Sequence, residues 1–457
     1  MTTASDDQST ATQPANAALR LFGLGFLLLL LAIPLGMIEQ IVAERVWYRA
    51  DAERSIGASW GQAQAIAGPV LVVPVIRRVA SSSTAASGLV VTEEETVQAP
   101  PLILLPDRLD IDARVETEMR KRGIFEMPVY RAELDHRVGF QIPDTAHLLG
   151  PREEVAWDDA RLMILMSSTR AIRAPLSLRS AGSEIAFEPG SGLGDFQGIQ
   201  ARVGDPREGV PDLAFTLSLN GSQSLAFAPA GRETRVDLDA AWPHPSFTGS
   251  FLPESREMTA ETTQATWRIP HLARPVAQAF RGMEGMQTLW STTFGFSLFQ
   301  PVDLYHKAER AAKYGVLFIA LTFCVIFLLE RTSPRPARAA QYLLVSAAQC
   351  VFFLLLLSLA EQIGFLSAYL IAAVATVALL LYYGWQALQL GRRLGHLAAG
   401  LGVVYGAMFV VLQSEDQALL IGSILAFLAV AATMVATRHE DWGGFTLPKL
   451  RRRKQAA

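Results

Sequence analysis

The stretch Leu21-Phe-Gly-Leu-Gly-Phe-Leu-Leu-Leu-Leu-Leu-Ala-Ile-Pro-Leu-Gly-Met-Ile-Glu-Gln-Ile-Val42 has no ionisable side chain before Glu39. A bilayer core is about 30 Å thick and takes roughly 20 apolar residues as a helix, so this stretch reads as a membrane span. Five further segments meet the same test: Ala311–Leu329, Ala339–Ala360, Phe365–Trp385, His396–Leu412 and Ala418–Thr437. Lipid offers no partner to an unpaired backbone group, so each is expected to be helical. The fold expected is therefore a membrane α-helical bundle of six transmembrane helices. A large β-rich extramembrane domain is inserted between helices 1 and 2.

The domain plan follows from these spacings. Residues 1–20 form a disordered cytoplasmic tail, rich in Thr, Ser, Gln, Ala and Asp. Residues 21–43 form transmembrane helix 1, read as an uncleaved signal anchor because no small-x-small cleavage site follows it. Residues 44–310 form a periplasmic β-rich domain, 311–437 a five-helix transmembrane region, and 438–457 a basic cytoplasmic tail. A hydrophobic content of 51% and a mean hydropathy of +0.26 suit a chain made of two unlike parts.

Orientation is read from the short loops, where Lys and Arg favour the cytoplasmic side. Arg331, Arg335, Arg338, Arg392, Arg393 and Arg438 follow the second, fourth and sixth spans. The turns Glu361–Gly364 and Gln413–Gln417 hold no Lys or Arg and carry Glu361, Glu415 and Asp416. Arg45, Arg49 and Arg54 after the first span vote the other way, but long domains translocate largely regardless of charge. The expected location is the bacterial inner membrane, with the large domain periplasmic and both termini cytoplasmic.

Between Arg45 and Glu309 the apolar pattern has period two more often than 3.6. Leu109, Ile111, Ala113 and Val115 alternate with charged residues, and Val70–Ile76 and Leu162–Met166 read as buried strands. Val236–Ala240 and Phe294–Phe299 are further strands, and one helix is expected around Pro275–Gln287. Asn220-Gly221, flanked by Leu213–Leu219 and Leu225–Ala228, is a strong hairpin signal. A sandwich or pair of sandwiches is the natural arrangement.

Chemistry-bearing motifs are sparse. A net charge of −3 without an aromatic-interleaved basic patch points away from nucleic acid. The run Lys449–Lys454 lies past the last span, where anionic headgroups account for it. Both cysteines, Cys324 and Cys350, fall in spans, so the exposed domain has neither disulfides nor a thiolate metal site. The seven histidines form no ligand cluster, and no cofactor motif is present, so no metal or cofactor is expected. Gly190-Ser-Gly-Leu-Gly194 reads as a turn, not a nucleophile elbow.

Five residues remain as weak functional candidates. His244 stands between two prolines, either as a turn residue packed on Trp242 or Phe247 or as part of a binding loop. Glu361 lies in a very short turn and is placed to meet Glu39 or Lys313. Lys307, Arg310 and Lys313 share a helical face, as a headgroup anchor or as a rigid connection between domain and bundle.

Several phrases resemble the CreD family of bacterial inner-membrane proteins. They include Pro34–Arg49, Gly68–Pro74, Glu188–Gly192, Trp242–Pro253, Pro301–Gly315, Gln341–Val345 and Leu359–Phe365. The resemblance implies a cell-envelope-integrity protein with no accepted enzymatic activity and no catalytic residues to carry over. The expectation is a non-enzymatic protein that supports envelope integrity or an envelope stress response. Its partners would be the lipid bilayer and an envelope protein or periplasmic ligand. The alternatives are a transporter or lipid-handling subunit, or a membrane enzyme acting on envelope precursors.

Overall fold

The computed structural model describes residues 15–84, 90–180, 183–208, 212–298, 304–330, 338–387, 389–414 and 417–438. The basic run Lys449–Lys454 and Arg331, Arg335, Glu415 and Asp416 lie outside them. Among the described residues there are eight α-helices: α1 (Ala15–Trp60), α2 (Glu284–Ser291), α3 (Leu304–Lys313), α4 (Gly315–Glu330), α5 (Ala339–Ile363), α6 (Phe365–Gln386), α7 (Leu394–Gln413) and α8 (Ala418–Thr437). The chain divides into two compact units, one of Met1–Tyr48 with Val302–Ala457, the other of Arg49–Pro301.

Among the described residues, four helical stretches are long and apolar enough to cross a membrane: Gly25–Trp60, Ala339–Ile363, Phe365–Gln386 and Gly391–Gln413. A fifth is reached if α3 and α4 count as one span, although they meet at a 51° bend. The apolar part of α8, Leu419–Val435, is shorter. Two boundaries differ from expectation. A straight span over Ala311–Leu329 does not form, because the helix breaks at Tyr314, between an amphipathic α3 and an apolar α4. The first helix does not end near Val42 but runs on to Trp60, through an Arg49–Glu53 pair at i, i+4 spacing (2.9 Å).

The helical core gathers Leu31, Leu35, Phe318, Ile319, Phe353 and Leu401. Facing outward, Phe26, Leu29, Ile33, Val351, Val374 and Phe427 are exposed. An apolar outer surface of that extent is costly in water and suits hydrocarbon. Inside, polar side chains link helices: Gln349 Nε2 donates to Thr322 Oγ1 (2.6 Å) and Tyr369 OH to the Tyr405 carbonyl (2.6 Å). The cavity beside Gln349 is about 10 Å³.

The second unit is β-rich, as its period-two pattern predicts. One sheet has eight strands, in the order Ser255–Met258, Thr263–Pro270, Glu233–Ala240, Arg108–Arg122, Phe125–Gly139, Leu213–Ser222, Ser177–Ser180, Ser183–Ala186. Its logic is plain in Arg108–Arg122, where Leu109, Ile111, Ala113 and Val115 are buried. The alternate residues face outward and pair across strands, as in Arg137–Asp112 (3.0 Å) and Arg114–Asp135 (2.5 Å). The other sheet has ten strands built around Gln64–Thr84, which pairs with Val90–Leu104, Glu153–Val155, Arg161–Met166 and, in parallel, Ser224–Phe227. The run Leu162–Met166 is buried throughout, so both its faces are covered. One hydrophobic core joins the sheets, with Trp267 against Phe247 and Phe294 at 5.7 Å each.

Two local expectations are corrected. Asn220-Gly221 does not make a hairpin turn: both residues stay in the strand Leu213–Ser222, and the chain turns at Gln223 (φ 64°). The strands on either side then belong to different sheets. A Cβ on Gly221 would enter the Tyr130 ring, whose hydroxyl donates to the Ser224 carbonyl (2.7 Å), so this glycine serves close approach. The helix expected over Pro275–Gln287 starts only at Glu284, because Ala279–Arg281 pairs as a strand with Leu102–Leu104.

Electrostatics stitch the β-rich unit as well. The carboxylate of Glu153 takes Arg281 (2.8 Å), the Gly150 N–H (2.8 Å) and Arg77 (2.6 Å). Arg281, then the Gly150 N–H, then Arg77 hold its pKa down to about 2. His136 is fully buried, stacked on Phe215 at 4.5 Å, and burial pushes its pKa down to about 4.

Two outcomes follow for stability. Replacing Gly221 by Ala should cost about 1–3 kcal/mol by overpacking against Tyr130, read as a lower midpoint in thermal denaturation; an unchanged midpoint would contradict the close approach. For His136 the folded pKa lies below the unfolded one, so the unfolded chain takes the proton first as pH drops. Its neutral ring is tolerated above about pH 6.5. Stability should therefore decline between there and about pH 4, and His136→Leu should flatten that part of the Tm-against-pH curve.

Candidate functional site: a polar cleft at the end of α1

The last turn of α1 is held from below. Ile56 packs with Met127 and Val129, and Trp60 joins them. The Trp60 Nε1–H donates to the Tyr130 carbonyl (3.3 Å), and the Arg120 guanidinium lies 4.2 Å over its ring. The helix stops at Gly61, whose N–H closes on the Gly57 carbonyl (2.9 Å) and whose φ of +151° suits glycine. The Asn220 carbonyl crowds the place of a Cβ there, and Ser222 Oγ donates to the Gly61 carbonyl (2.7 Å).

Opposite stands a second wall, the loop leaving the buried strand Arg161–Met166. Ser167 Oγ accepts from the Ala65 N–H (3.0 Å), and the Ser167 N–H donates to the Ala65 carbonyl (3.0 Å). The Gln197 carbonyl accepts the Met166 N–H (3.0 Å), and its side-chain oxygen accepts the Thr169 N–H (3.4 Å). Between the walls lies a cleft of about 310 Å³, lined by residues 57–62 on one side and by Ser167, Ser168, Arg170 and Gln197 on the other. Its surface is mostly polar; Gly57, Ala58 and Gly61 have no polar side chain and offer only main-chain groups. Arg170 is exposed at this cleft and has no hydrogen-bond or ion-pair partner among the described residues. The lining holds no carboxylate, imidazole or thiol.

The residues singled out from the sequence lie elsewhere. Glu361, on the last turn of α5, does not meet Glu39 or Lys313. It accepts from the Tyr305 hydroxyl (3.1 Å) and faces Arg45 Nε at 3.7 Å. Its side chain is 10% exposed, so the pair is partly shielded from water. Lys307 Nζ donates to Gln413 Oε1 (2.7 Å) and lies 5.4 Å over the Phe365 ring. Arg310 reaches the Leu412 and Ser414 carbonyls at 3.5 Å each. These cations thus sit at the C-terminus of α7, where the helix dipole favours positive charge. Lys313 is exposed and apart from them. His244 is exposed, and its carbonyl accepts from Trp242 Nε1 (3.0 Å), while Phe247 faces Trp267 instead. Ser191 donates to the Phe196 carbonyl and accepts from the Leu193 N–H (3.2 Å), a turn bond pattern. Among the described residues no group of three or more His, Cys, Asp or Glu is arranged to hold a metal ion.

The cleft was not legible in the sequence. Trp60 and Arg170 are far apart along the chain, and the only local signal is the Gly57…Gly61 pair at a helix end.

The Glu361 contacts can be tested by a double-mutant cycle. Tyr305→Phe and Glu361→Gln should be coupled by about 1 kcal/mol in the unfolding of the protein in detergent; strict additivity would show that the contact contributes nothing.

Comparison with known proteins gives one strong relationship. The family model for Inner membrane protein CreD matches residues 16–443. The Inner membrane protein CreD of Escherichia coli (strain K12) is 32% identical over 435 residues, covering 93% of this chain and 94% of its own. Two solved structures show faint likenesses. A two-domain M1 zinc metallopeptidase is 8% identical, covering 42% of this chain and 44% of its own at a TM-score of 0.20. The M1 zinc metallopeptidase from Deinococcus radiodurans is 9% identical, covering 78% and 97%, at 0.21. Such scores carry no argument about fold or chemistry.

Proposed function

The chain belongs to the CreD family of inner membrane proteins, and from that premise we propose that it is a non-enzymatic binding protein supporting the integrity of the cell envelope. Its β-rich unit lies in the periplasm, inserted between the first and second of six spans, and takes a polar ligand in the cleft at the end of α1. Both termini are cytoplasmic, and the lipid bilayer surrounds the helical unit.

The observation that carries this reading is the makeup of the cleft. It has the size of a small-molecule site, yet its lining has no acid–base or nucleophilic pair of the kind turnover needs. Hydrogen-bonding groups fixed by surrounding structure suit recognition. The cleft is also lined by the last turn of α1, the same helix that supplies a membrane-capable stretch from Gly25 onward. A bound ligand therefore touches the element that enters the apolar unit. The charge pattern supports the orientation: Arg338, Arg392, Arg393 and Arg438 flank α5, α7 and α8 on one set of ends, with Glu361 at the opposite end of α5.

Two measurements test the proposal. A membrane-impermeant thiol reagent on intact cells should label Leu252→Cys and leave Arg392→Cys unlabelled; the reverse pattern would place the β-rich unit in the cytosol and overturn the reading. Ser168→Trp, which fills the cleft, should accumulate normally in the membrane but fail to restore envelope tolerance in a strain lacking the protein. Full restoration would remove the cleft from the function.

A further inference from the structure

Resting on the reading of this cleft as a binding site, we propose that its ligand is a small zwitterion, an amino acid or short peptide with a free ammonium and a free carboxylate. The two walls carry opposite electrical character. On one, the Ala58, Ser59 and Trp60 carbonyls end α1 with no hydrogen-bond partner among the described residues. The final carbonyls of a helix together carry about half a negative charge. The last turn of α1 has no basic side chain of its own, and the neighbouring cations Arg120 and Arg131 lie over the Trp60 ring. This wall is an acceptor surface for an N–H-rich cation.

Arg170 supplies the opposite pole. It is exposed at the cleft without a carboxylate partner among the described residues. A guanidinium presents two parallel N–H donors that match a carboxylate in bidentate fashion. No acidic side chain lines the cleft to compete for it or to take the ammonium in place of the carbonyls. A simple anion would satisfy Arg170 and leave the helix end unanswered. A simple cation would do the reverse.

Size and the remaining groups point to a peptide. At about 310 Å³ the cleft exceeds a single amino acid and accommodates a short peptide. The Gln62 amide on one wall and the Ser168 hydroxyl and Gln197 amide nitrogen on the other also line the cleft, as partners for peptide N–H and C=O groups. Their recognition would be of main chain and of termini, with little demand on side chains.

The experiment is isothermal titration of the full-length protein in detergent with L-alanyl-L-alanine, its N-acetyl form and its C-terminal amide. Dialanine should bind, and each blocked form should bind roughly tenfold or more weakly, the loss of one charge-assisted contact. In Arg170→Gln the acid and the amide should become equivalent, while the preference for a free amine over the acetyl form remains. Its thermal midpoint should not move, since Arg170 makes no hydrogen bond or ion pair among the described residues. No binding of dialanine, or equal binding of the acetylated form, overturns the zwitterion; the latter would mark an oxyanion site alone. If dialanine fails but Ser168→Trp still abolishes envelope function, the cleft stands and only the ligand class is wrong. If Ser168→Trp is also silent, the binding reading falls with it.

Discussion

The β-rich unit depends on the pairing of a single strand, Gln64–Thr84. It joins four others, one of them in parallel, and its buried stretch Val70–Val73 lies at the centre of the common core. Because it leaves α1 after only three residues, the same strand also sets where the helix ends. The Ala65 N–H and carbonyl hold Ser167, and the Gln62 carbonyl takes the Ser222 N–H and the Gln64 side chain. Pairing in the sheet and placement of both cleft walls are thus one event. A shift of one residue in this register would mispair a stretch buried on both faces, Val70–Val73, and would also dismantle the cleft.

What could be read from the residues divides along the range of the forces involved. Apolar runs of about 20 residues announce membrane-capable helices because the bilayer's thickness acts on each run separately. Alternation in Arg108–Arg122 likewise announces a strand with one covered face. The 51° break at Tyr314 was less visible, since it needs the amphipathic α3 to differ from the apolar α4 across a single residue. Asn220-Gly221 misled for a tertiary reason. The glycine answers to Tyr130, so turn chemistry at that dipeptide was overridden by packing.

The same division explains the candidate residues. Glu361 stood out as an acid near a helix end and is engaged, but with Tyr305 and Arg45, whose approach depends on how helices pack. Lys307 and Arg310 share one face as their spacing requires, and that face meets the end of α7. They therefore satisfy a helix terminus. Arg170 attracts no attention in a sequence holding 40 Lys and Arg, since its unpaired state is a property of the folded loop.

One wall of the cleft contains the end of a helix, so part of it is main chain. Every residue carries the same carbonyl, so changing the side chain at Ala58, Ser59 or Trp60 leaves the acceptors in place as long as the helix ends where it does. Such a surface is nearly silent in a mutational scan, and chains that drift apart at these positions can keep the same recognition. The heritable part of that wall is the stopping point of a helix. Selection for that geometry would act on Gly61, on the Trp60 anchor and on the strand that follows, more than on the side chains of Ala58 and Ser59.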